Sequence, residues 1–423
     1  MTTAQESEIL TRVGPGTPMG NLMRHYWLPA LKSSELKPDG DPVRFMLLGE
    51  KLIAFRDTAG RVGVMDQRCP HRCASLFFGR NEEGGLRCVY HGWKFDVAGN
   101  CLDQPNLPPH QQFKEKVRAK AYQAVERNGI IYVYMGAAEK APALPDIAAT
   151  LIPEDQASIS FVQRECNWLQ GLEGDIDTSH LNFLHYGSLN GEDFAPTDPT
   201  RWGAVHRDPE YKVDETDLGT IYGAYRPAEN GKTYWRIAHF LFPCWTFAPF
   251  IAFEHYRIAR AWVPLDDTHM MFVMIGPKEG AGSVNDRGVL QPNTTDWFGR
   301  FRPTQTRDND YLIDRQVQRT RSFTGIDGIH MQDQCVTESM GPITDHSFEN
   351  LAASDRMVAM TRRRLLTAAR ALAEKGTLPP GAATPEAYGD ERGGYFLAPA
   401  TRQWPDVYRM QRDGEAAAPE AAE

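Results

Sequence analysis

"CPHRCASLFFGRNEEGGLRCVYHGWKFD", residues Cys69 to Asp96, holds two short clips that each join one cysteine to one histidine: Cys69-Pro70-His71 and Cys88-Val89-Tyr90-His91. Thiolates and imidazoles this closely spaced point first to a bound metal. Two of each make a zinc ligand set. Zinc-finger knuckles, however, put paired cysteines in one clip and paired histidines in another, on a helix. Here both clips are mixed. That suits a two-iron, two-sulfide cluster in which one iron takes both cysteines and the other both histidines. Neutral imidazoles in place of two thiolates lower the negative charge on such a cluster and raise its reduction potential.

Around the clips, from about Val43 to Tyr134, short apolar runs alternate with turn signals. "VRFMLLGEKLIAFRDTAGRVGVMD", "WKFDVAGNCLD" and "NGIIYVYMG" read as strands, with Gly49-Glu50, Ala59-Gly60 and Ala98-Gly99-Asn100 at the hairpin turns. This predicts a small antiparallel β domain with both clips at loop tips. "APALPDIAATLIP" (Ala141 to Pro153) reads as a linker, and the texture then changes. "NWLQGLEGDIDTSHLNFLHYG" looks helical, "TYWRIAHFLFPCW" and "HMMFVMIGP" look like strands, and "ASDRMVAMTRRRLLTAARALAEKG" is an amphipathic helix ended by glycine. The predicted class is α+β: an all-β domain, then an α+β domain built on an antiparallel sheet. The expected boundaries are 1–42 for an N-terminal segment packed on the second domain, 43–140 for the β domain, 141–153 for the linker, 154–412 for the second domain and 413–423 for a disordered tail.

A length of 423 residues suits two or three domains, and 41% hydrophobic with 24% charged residues is ordinary for a chain that buries a real core. The net charge of -9 argues against a nucleic-acid-coating protein, which needs a basic footprint. "MTTAQESEILTRVGPG" has no apolar targeting core, and no run approaches the ~20 apolar residues of a membrane helix. Seven cysteines, two of them already in the clips, argue against structural disulfides and for a reducing cytoplasm. Cys73 and Cys101, close to the clips, read as bystanders.

A cluster alone only carries electrons, and "EGDIDTSHLNFLH" offers them a destination. Glu173, Asp175, Asp177, His180 and His185 crowd one segment of helical character. Asp177 and His180, three apart, would share a helix face. His180 and His185, five apart, fall about 140° out of phase, so the helix must end, bend or bulge for both to reach one ion. Two histidines and a carboxylate form the facial triad of non-haem Fe(II) oxygenases, with open positions for O₂ and substrate. The carboxylate comes from later in the chain, where "GIHMQDQCVTESMGPITDHSFENL" holds Asp333, Glu338, Asp345 and Glu349.

Cys-x-His, sixteen residues, Cys-x-x-His and then Gly92-Trp93-Lys94-Phe95 resemble the Rieske family. With the second motif, the chain resembles the catalytic α subunit of a Rieske non-haem iron oxygenase, in the phthalate dioxygenase-like branch that also holds aromatic O-demethylases. The resemblance runs from "GPGTPMGNLMRHYWLPA" (Gly14 to Ala30) to "ESMGPITDHSFENLAASD" (Glu338 to Asp355). Cys73 is a departure, since related sequences commonly carry glycine or another residue there. The resemblance implies one [2Fe–2S] cluster on Cys69, His71, Cys88 and His91, and one mononuclear Fe(II) on His180, His185 and the "QD" aspartate, Asp333. Glu338 is the fallback ligand. It further implies O₂ as co-substrate and NAD(P)H electrons arriving through a separate flavin and iron–sulfur reductase, since this chain has no Gly-x-Gly-x-x-Gly fingerprint after a strand. It implies a homo-oligomer, a trimer or stacked hexamer, in which Asp177 bridges His180 to the neighbour's His91.

The expected reaction is oxidation of an aromatic substrate, an aromatic carboxylate, by ring hydroxylation or dihydroxylation. Aryl methyl ether O-demethylation is the alternative within the family, and electron transfer without oxygenase activity the distant one. "TYWRIAHFLFPCWTFAPF" alternates aromatics that could line a pocket for a planar ring. Arg236 within it is a candidate fork for a substrate carboxylate, and Arg201 beside Trp202 a weaker one.

Overall fold

The computed structural model describes residues 2–188, 195, 197–279, 288–404 and 406–413. Its first sheet has six strands in the order Trp27–Lys32, Ile130–Tyr134, Ala121–Arg127, Val62–Asp66, Glu50–Arg56 and Val43–Leu47. A four-stranded sheet of Arg80–Glu82, Gly85–Arg87, Lys94–Phe95 and Cys101–Asp103 stands beside it. All neighbours pair antiparallel. The hairpins turn at the expected glycines: Gly49 and Gly99 take φ of +74° and +83°, where a side chain would be strained. Both clips lie outside the strands, over a small core of Ile53, Phe55, Leu76, Leu86 and Phe95.

Two expected boundaries shift. The sequence places Trp27–Lys32 in a segment packed on the second domain, yet it pairs with Ile130–Tyr134 and forms the edge strand of the first. The apolar run "WLPAL" is buried along its length and needs a sheet to satisfy its backbone. The helices before it, Ala4–Thr11 and Pro18–Met23, do pack on the second domain, against helix Arg356–Lys375. Residues 141–153 are likewise not a free tether, because Leu144, Ile147, Ala149 and Ile152 are buried. The proline-rich first half has no regular structure and its carbonyls accept from elsewhere, Pro142 O from Trp27 Nε1 at 2.8 Å and Pro145 O from Arg127 Nη1 at 2.8 Å, before a 3₁₀ turn at Ala148–Leu151. The tail expected over 413–423 lies outside the described residues except for Asp413, which ends helix Asp406–Asp413.

The second domain is an eight-stranded antiparallel sheet in the order Ala157–Arg164, Met270–Pro277, Ala259–Pro264, Trp245–Phe247, Lys232–Leu241, Gly219–Pro227 and Glu210–Thr216, with Gly394–Pro399 also paired to Lys232–Leu241. Along Lys232–Leu241 alternate residues face opposite ways. Trp235 and Ile237 join a cluster with Phe396, Val407 and Tyr408, whereas Ala238 and Phe240 join the main core. Arg236 therefore lies on the main-core side. The amphipathic helix expected near residue 360 is Arg356–Lys375, closed by Gly376 at φ +65°. Among the described residues no helix is long and apolar enough to cross a membrane.

Helix Trp168–Asp175 leads into the second motif and is seated tightly on the sheet. At Gly171 a Cβ would stand 2.2 Å from Met270 Cε and 2.5 Å from the Trp262 ring. Cores packed to crystal density do not absorb such a group freely. Gly171→Ala is expected to cost about 1–3 kcal/mol, read as a lowered thermal midpoint. An unchanged midpoint would mean the helix is loosely seated.

Candidate metal centres and active site

The two clips fold alike. Cys73 N donates to Cys69 O at 2.8 Å and Gly92 N to Cys88 O at 2.9 Å, so each clip closes on its own cysteine. Both closing residues are left-handed, Cys73 at φ +60° and Gly92 at +78°. Cys73 thus occupies a position that glycine fills without strain in the other clip, which explains why it stands out in the sequence. Its thiol is exposed, whereas Cys101 is buried and donates to Asp103 O at 3.5 Å.

Cys69 and Cys88 are buried and adjacent, and burial, together with Cys88, pushes the Cys69 thiol up to about 12. His71 and His91 lie nearer the surface with ring centroids 4.4 Å apart, and His71 stacks on Trp93 at 4.3 Å. Trp93 is itself pinned through Nε1 to Asn106 Oδ1 at 2.8 Å. His91 Nδ1 is buried without a hydrogen-bond partner among the described residues. A buried orphan nitrogen beside paired thiols is costly unless a metal satisfies it. The residues fit a cluster with thiolates inward and imidazoles outward.

The second motif breaks where phase required. Helix Trp168–Asp175 stops, and a single turn, Leu181–Leu184, follows with His180 just before it and His185 just after. Asp177 is therefore not on a helix face with His180. It lies in the break, where its Oδ1 accepts from Ser179 N at 2.8 Å, and its Oδ2 from His180 N at 3.1 Å and His180 Nδ1 at 3.0 Å. An aspartate that bonds nearby backbone N–H groups competes with helix continuation, and here it makes the break. The rings of His180 and His185 come to 5.1 Å, and Asp333 on helix Ile329–Ser339 meets them, Oδ1 to His185 Nε2 at 3.2 Å and to His180 Nε2 at 3.6 Å.

Charge accumulates in this hollow. Burial raises the Asp333 carboxyl, but His185, His180 and Arg164 outweigh it and hold the group well below the usual range. Burial lowers His180, but Asp177 and Asp333 outweigh it and hold the imidazole above its usual value. Asp177 is lowered against its own burial by His180 and by the N–H groups of Ser179 and His180. Two imidazole nitrogens and a carboxylate oxygen converging in a partly buried hollow fit a divalent cation.

The other flagged acids are engaged elsewhere. Glu338, the fallback, accepts from Glu165 N at 2.8 Å, Gln334 Nε2 at 2.7 Å and the Tyr311 hydroxyl. Glu173 and Glu349 both grip the Arg362 guanidinium beside His346. Asp175 takes Arg260, Thr246 and Trp262, and Asp345 caps Ser347.

Arg236 and Arg201 part company. Arg201 is drawn to Glu229 Oε2 at 2.7 Å and lies over the Trp202 ring. Arg236 is buried on the sheet face toward the metal site, with Arg226 beside it: strand register puts Arg226 opposite Tyr234 and Ala224 opposite Arg236. Neither Arg226 nor Arg236 forms an ion pair among the described residues, and Arg226 Nη1 and Arg236 Nε have no hydrogen-bond partner there. Burial and Arg236 pull Arg226 down to about 10. This face adjoins the His180–His185 turn: Arg226 Nη2 donates to Asn182 Oδ1 at 3.4 Å, and the Tyr211 hydroxyl sits 2.5 Å from Ser179 Oγ. Arg226, Tyr211, Ser179 and Gln332 were not singled out in the sequence. "YGAYRP", alternating ahead of the Arg236 strand, was the available sign for Arg226.

Comparison with known proteins agrees with this layout. The Rieske [2Fe-2S] domain family matches residues 26–114, and the family described as LigXa C-terminal domain like matches residues 133–388. The chain is 49% identical over 430 residues to the 3-chlorobenzoate-3,4-dioxygenase oxygenase subunit of Comamonas testosteroni, covering 98% of this chain and 99% of that one. It is 37% identical to the phthalate 4,5-dioxygenase oxygenase subunit of Pseudomonas putida over 387 residues, 87% of this chain and 86% of that one. The crystal structure of dicamba monooxygenase bound to 3,6-dichlorosalicylic acid superposes with a TM-score of 0.58 at 17% identity, covering 84% and 99%, a likeness of fold. The chain belongs to the Rieske non-haem iron oxygenases, as a catalytic oxygenase subunit with a Rieske [2Fe–2S] cluster and a mononuclear iron.

Proposed function

We propose that this oxygenase hydroxylates an aromatic ring bearing a carboxylate, with ring dihydroxylation as the favoured outcome. The observation that carries the reading is the buried Arg226–Arg236 couple, without an ion-pair partner among the described residues, beside the His180, His185 and Asp333 convergence. Two buried guanidiniums with no carboxylate partner among the described residues are costly, and an anionic substrate removes that cost. The names of the two dioxygenase relatives, one acting on a chlorobenzoate and one on a phthalate, support the same class.

In this reading Cys69 and Cys88 hold one iron of the cluster, His71 and His91 the other, and His180, His185 and Asp333 hold the mononuclear iron. Bound there, the two groups supply one-electron transfer and O₂ activation. The chain's own residues supply position. Arg226 and Arg236 grip the carboxylate, and Tyr211, Tyr222 and Tyr234 wall the ring. Phe240 and Ala238 continue the apolar face and exclude water. Electrons come from a separate NAD(P)H-dependent reductase. Asp177 bridges His180 to the neighbour's His91 in a homo-oligomer, a trimer or stacked hexamer. Exposed Val89 and Tyr90 beside the clips, and exposed Phe183, Tyr186 and Phe323 beside the His180–His185 turn, support such head-to-tail contact, and light scattering gives the stoichiometry.

The test is substrate-dependent O₂ uptake over a panel of benzoates, phthalates and aryl methyl ethers with a surrogate reductase. Arg236→Met is expected to raise KM for an aromatic carboxylate by about 10–100-fold, the loss of one charged hydrogen bond. Equal turnover of a substrate and its decarboxylated analogue would sink the carboxylate reading. With isotopic O₂, a cis-diol retaining both labelled atoms supports dihydroxylation, and a phenol with released formaldehyde supports O-demethylation instead.

A further inference from the structure

The two metal-site histidines are held by unlike partners. His180 Nδ1 bonds the carboxylate of Asp177 at 3.0 Å, whereas His185 Nδ1 lies 2.7 Å from the amide oxygen of Gln332, the residue just before Asp333. We infer that Gln332 is a positioning residue for His185: it fixes the ring's tautomer and orientation so that Nε2 presents a lone pair to the ion beside Asp333. The inference rests on the assignment of His180, His185 and Asp333 as iron ligands.

The argument runs through hydrogen-bond direction. Gln332 Nε2 donates to Ile326 O at 2.8 Å and to Ser188 Oγ at 3.0 Å. A backbone carbonyl only accepts, so the amide nitrogen must be the end facing Ile326. Its oxygen then faces His185 and can only accept, which puts the imidazole proton on Nδ1 and leaves Nε2 bare. Gln332 and His185 are both buried, at 0% and 1% exposure, so water does not compete for either group. The amide cannot swing away without leaving Ile326 O and Ser188 Oγ unmet. Helix Ile329–Ser339 thereby grips the His180–His185 turn twice, once through a ligand and once through the group that aims another ligand.

Metal-bound imidazoles need such a partner, and its loss typically costs about 10–100-fold in affinity. A neutral amide does this without adding charge, whereas Asp177 adds one to His180. The two imidazoles are thus made unequal donors.

The test uses iron-loaded holoprotein and two variants, Gln332→Met, which keeps bulk without an acceptor, and Gln332→Asn, which withdraws the amide oxygen by one methylene. The first readout is the rate of mononuclear Fe(II) release into a chelator while the cluster absorbance reports an intact fold. The second is the set of exchange-protected imidazole N–H resonances after Co(II) replaces that iron. Release about 10–100-fold faster in both variants, with one protected N–H lost and the other retained, supports the inference. Should Gln332→Met not fold, Gln332→Asn carries the same expectation. Wild-type release rates, or two protected N–H signals in a folded variant, overturn it. If His180→Ala or Asp333→Ala also leaves iron release unchanged, the ligand assignment itself fails, a different result from failure of Gln332 alone.

Discussion

Asp333→Ala is expected to abolish O₂-dependent turnover and to lower the iron content from about three to about two per chain, while the brown-red cluster spectrum stays intact. The carboxylate is the one acid whose oxygen reaches both His180 and His185 among the described residues. Without it two neutral imidazoles face a divalent cation alone, and the remaining set is too small to hold it. Glu338 cannot take over, because its oxygens already accept from Glu165, Gln334 and Tyr311. Pulling it out would orphan the buried Gln334 and Tyr311 donors and the Glu165 N–H. The clips stand on a separate small core around Leu76, Leu86 and Phe95, so the variant has no route to the cluster. Iron analysis, absorbance and O₂ uptake on one preparation decide the matter. Turnover surviving in a variant with two irons would remove Asp333 from the ligand set.

What could be read in advance depended on how local each feature is. The clips pack a ligand into every second or third residue, so spacing alone separated them from a zinc knuckle. The break between His180 and His185 was legible from phase, since an unbroken helix cannot aim both at one point. Its cause was not, because a helical reading of Asp177 hides the capping bonds to Ser179 N and His180 N that end the helix. Gln332 stands 147 residues from the histidine it contacts, and no periodicity signals such a meeting. Arg226 was missed for a related reason. Its closeness to Arg236 depends on register between Gly219–Pro227 and Lys232–Leu241, where a slip of one residue would turn it to the other face. Trp27–Lys32 went to the wrong domain because its partner strand lies some hundred residues on. Pairings over long separations cost the most chain entropy and leave the least trace in local pattern.

Asp177→Asn should keep both metals and slow electron passage between the centres by about 100-fold, the upper end for loss of a metal-site hydrogen-bond partner. The side chain has two oxygens with unequal duties. Oδ2 accepts two bonds, from His180 N and from His180 Nδ1, and Oδ1 accepts one, from Ser179 N. Each oxygen offers two lone pairs, so the open acceptor site is on Oδ1, and a cross-subunit imidazole N–H would occupy it. An asparagine must put its NH₂ at one of these places. At the Oδ2 position it would face two donors within its own subunit, and at the Oδ1 position one. The amide therefore turns its nitrogen toward Ser179 and the neighbour, and the bonds lost are the one from Ser179 N and the one that would join the subunits. His180 keeps its acceptor, so the mononuclear iron stays. Stopped-flow oxidation of the pre-reduced cluster by O₂, with substrate present, measures the step directly. Cluster oxidation at the wild-type rate in a variant holding both metals would mean that electrons cross elsewhere and that Asp177 serves only to end the helix and orient His180.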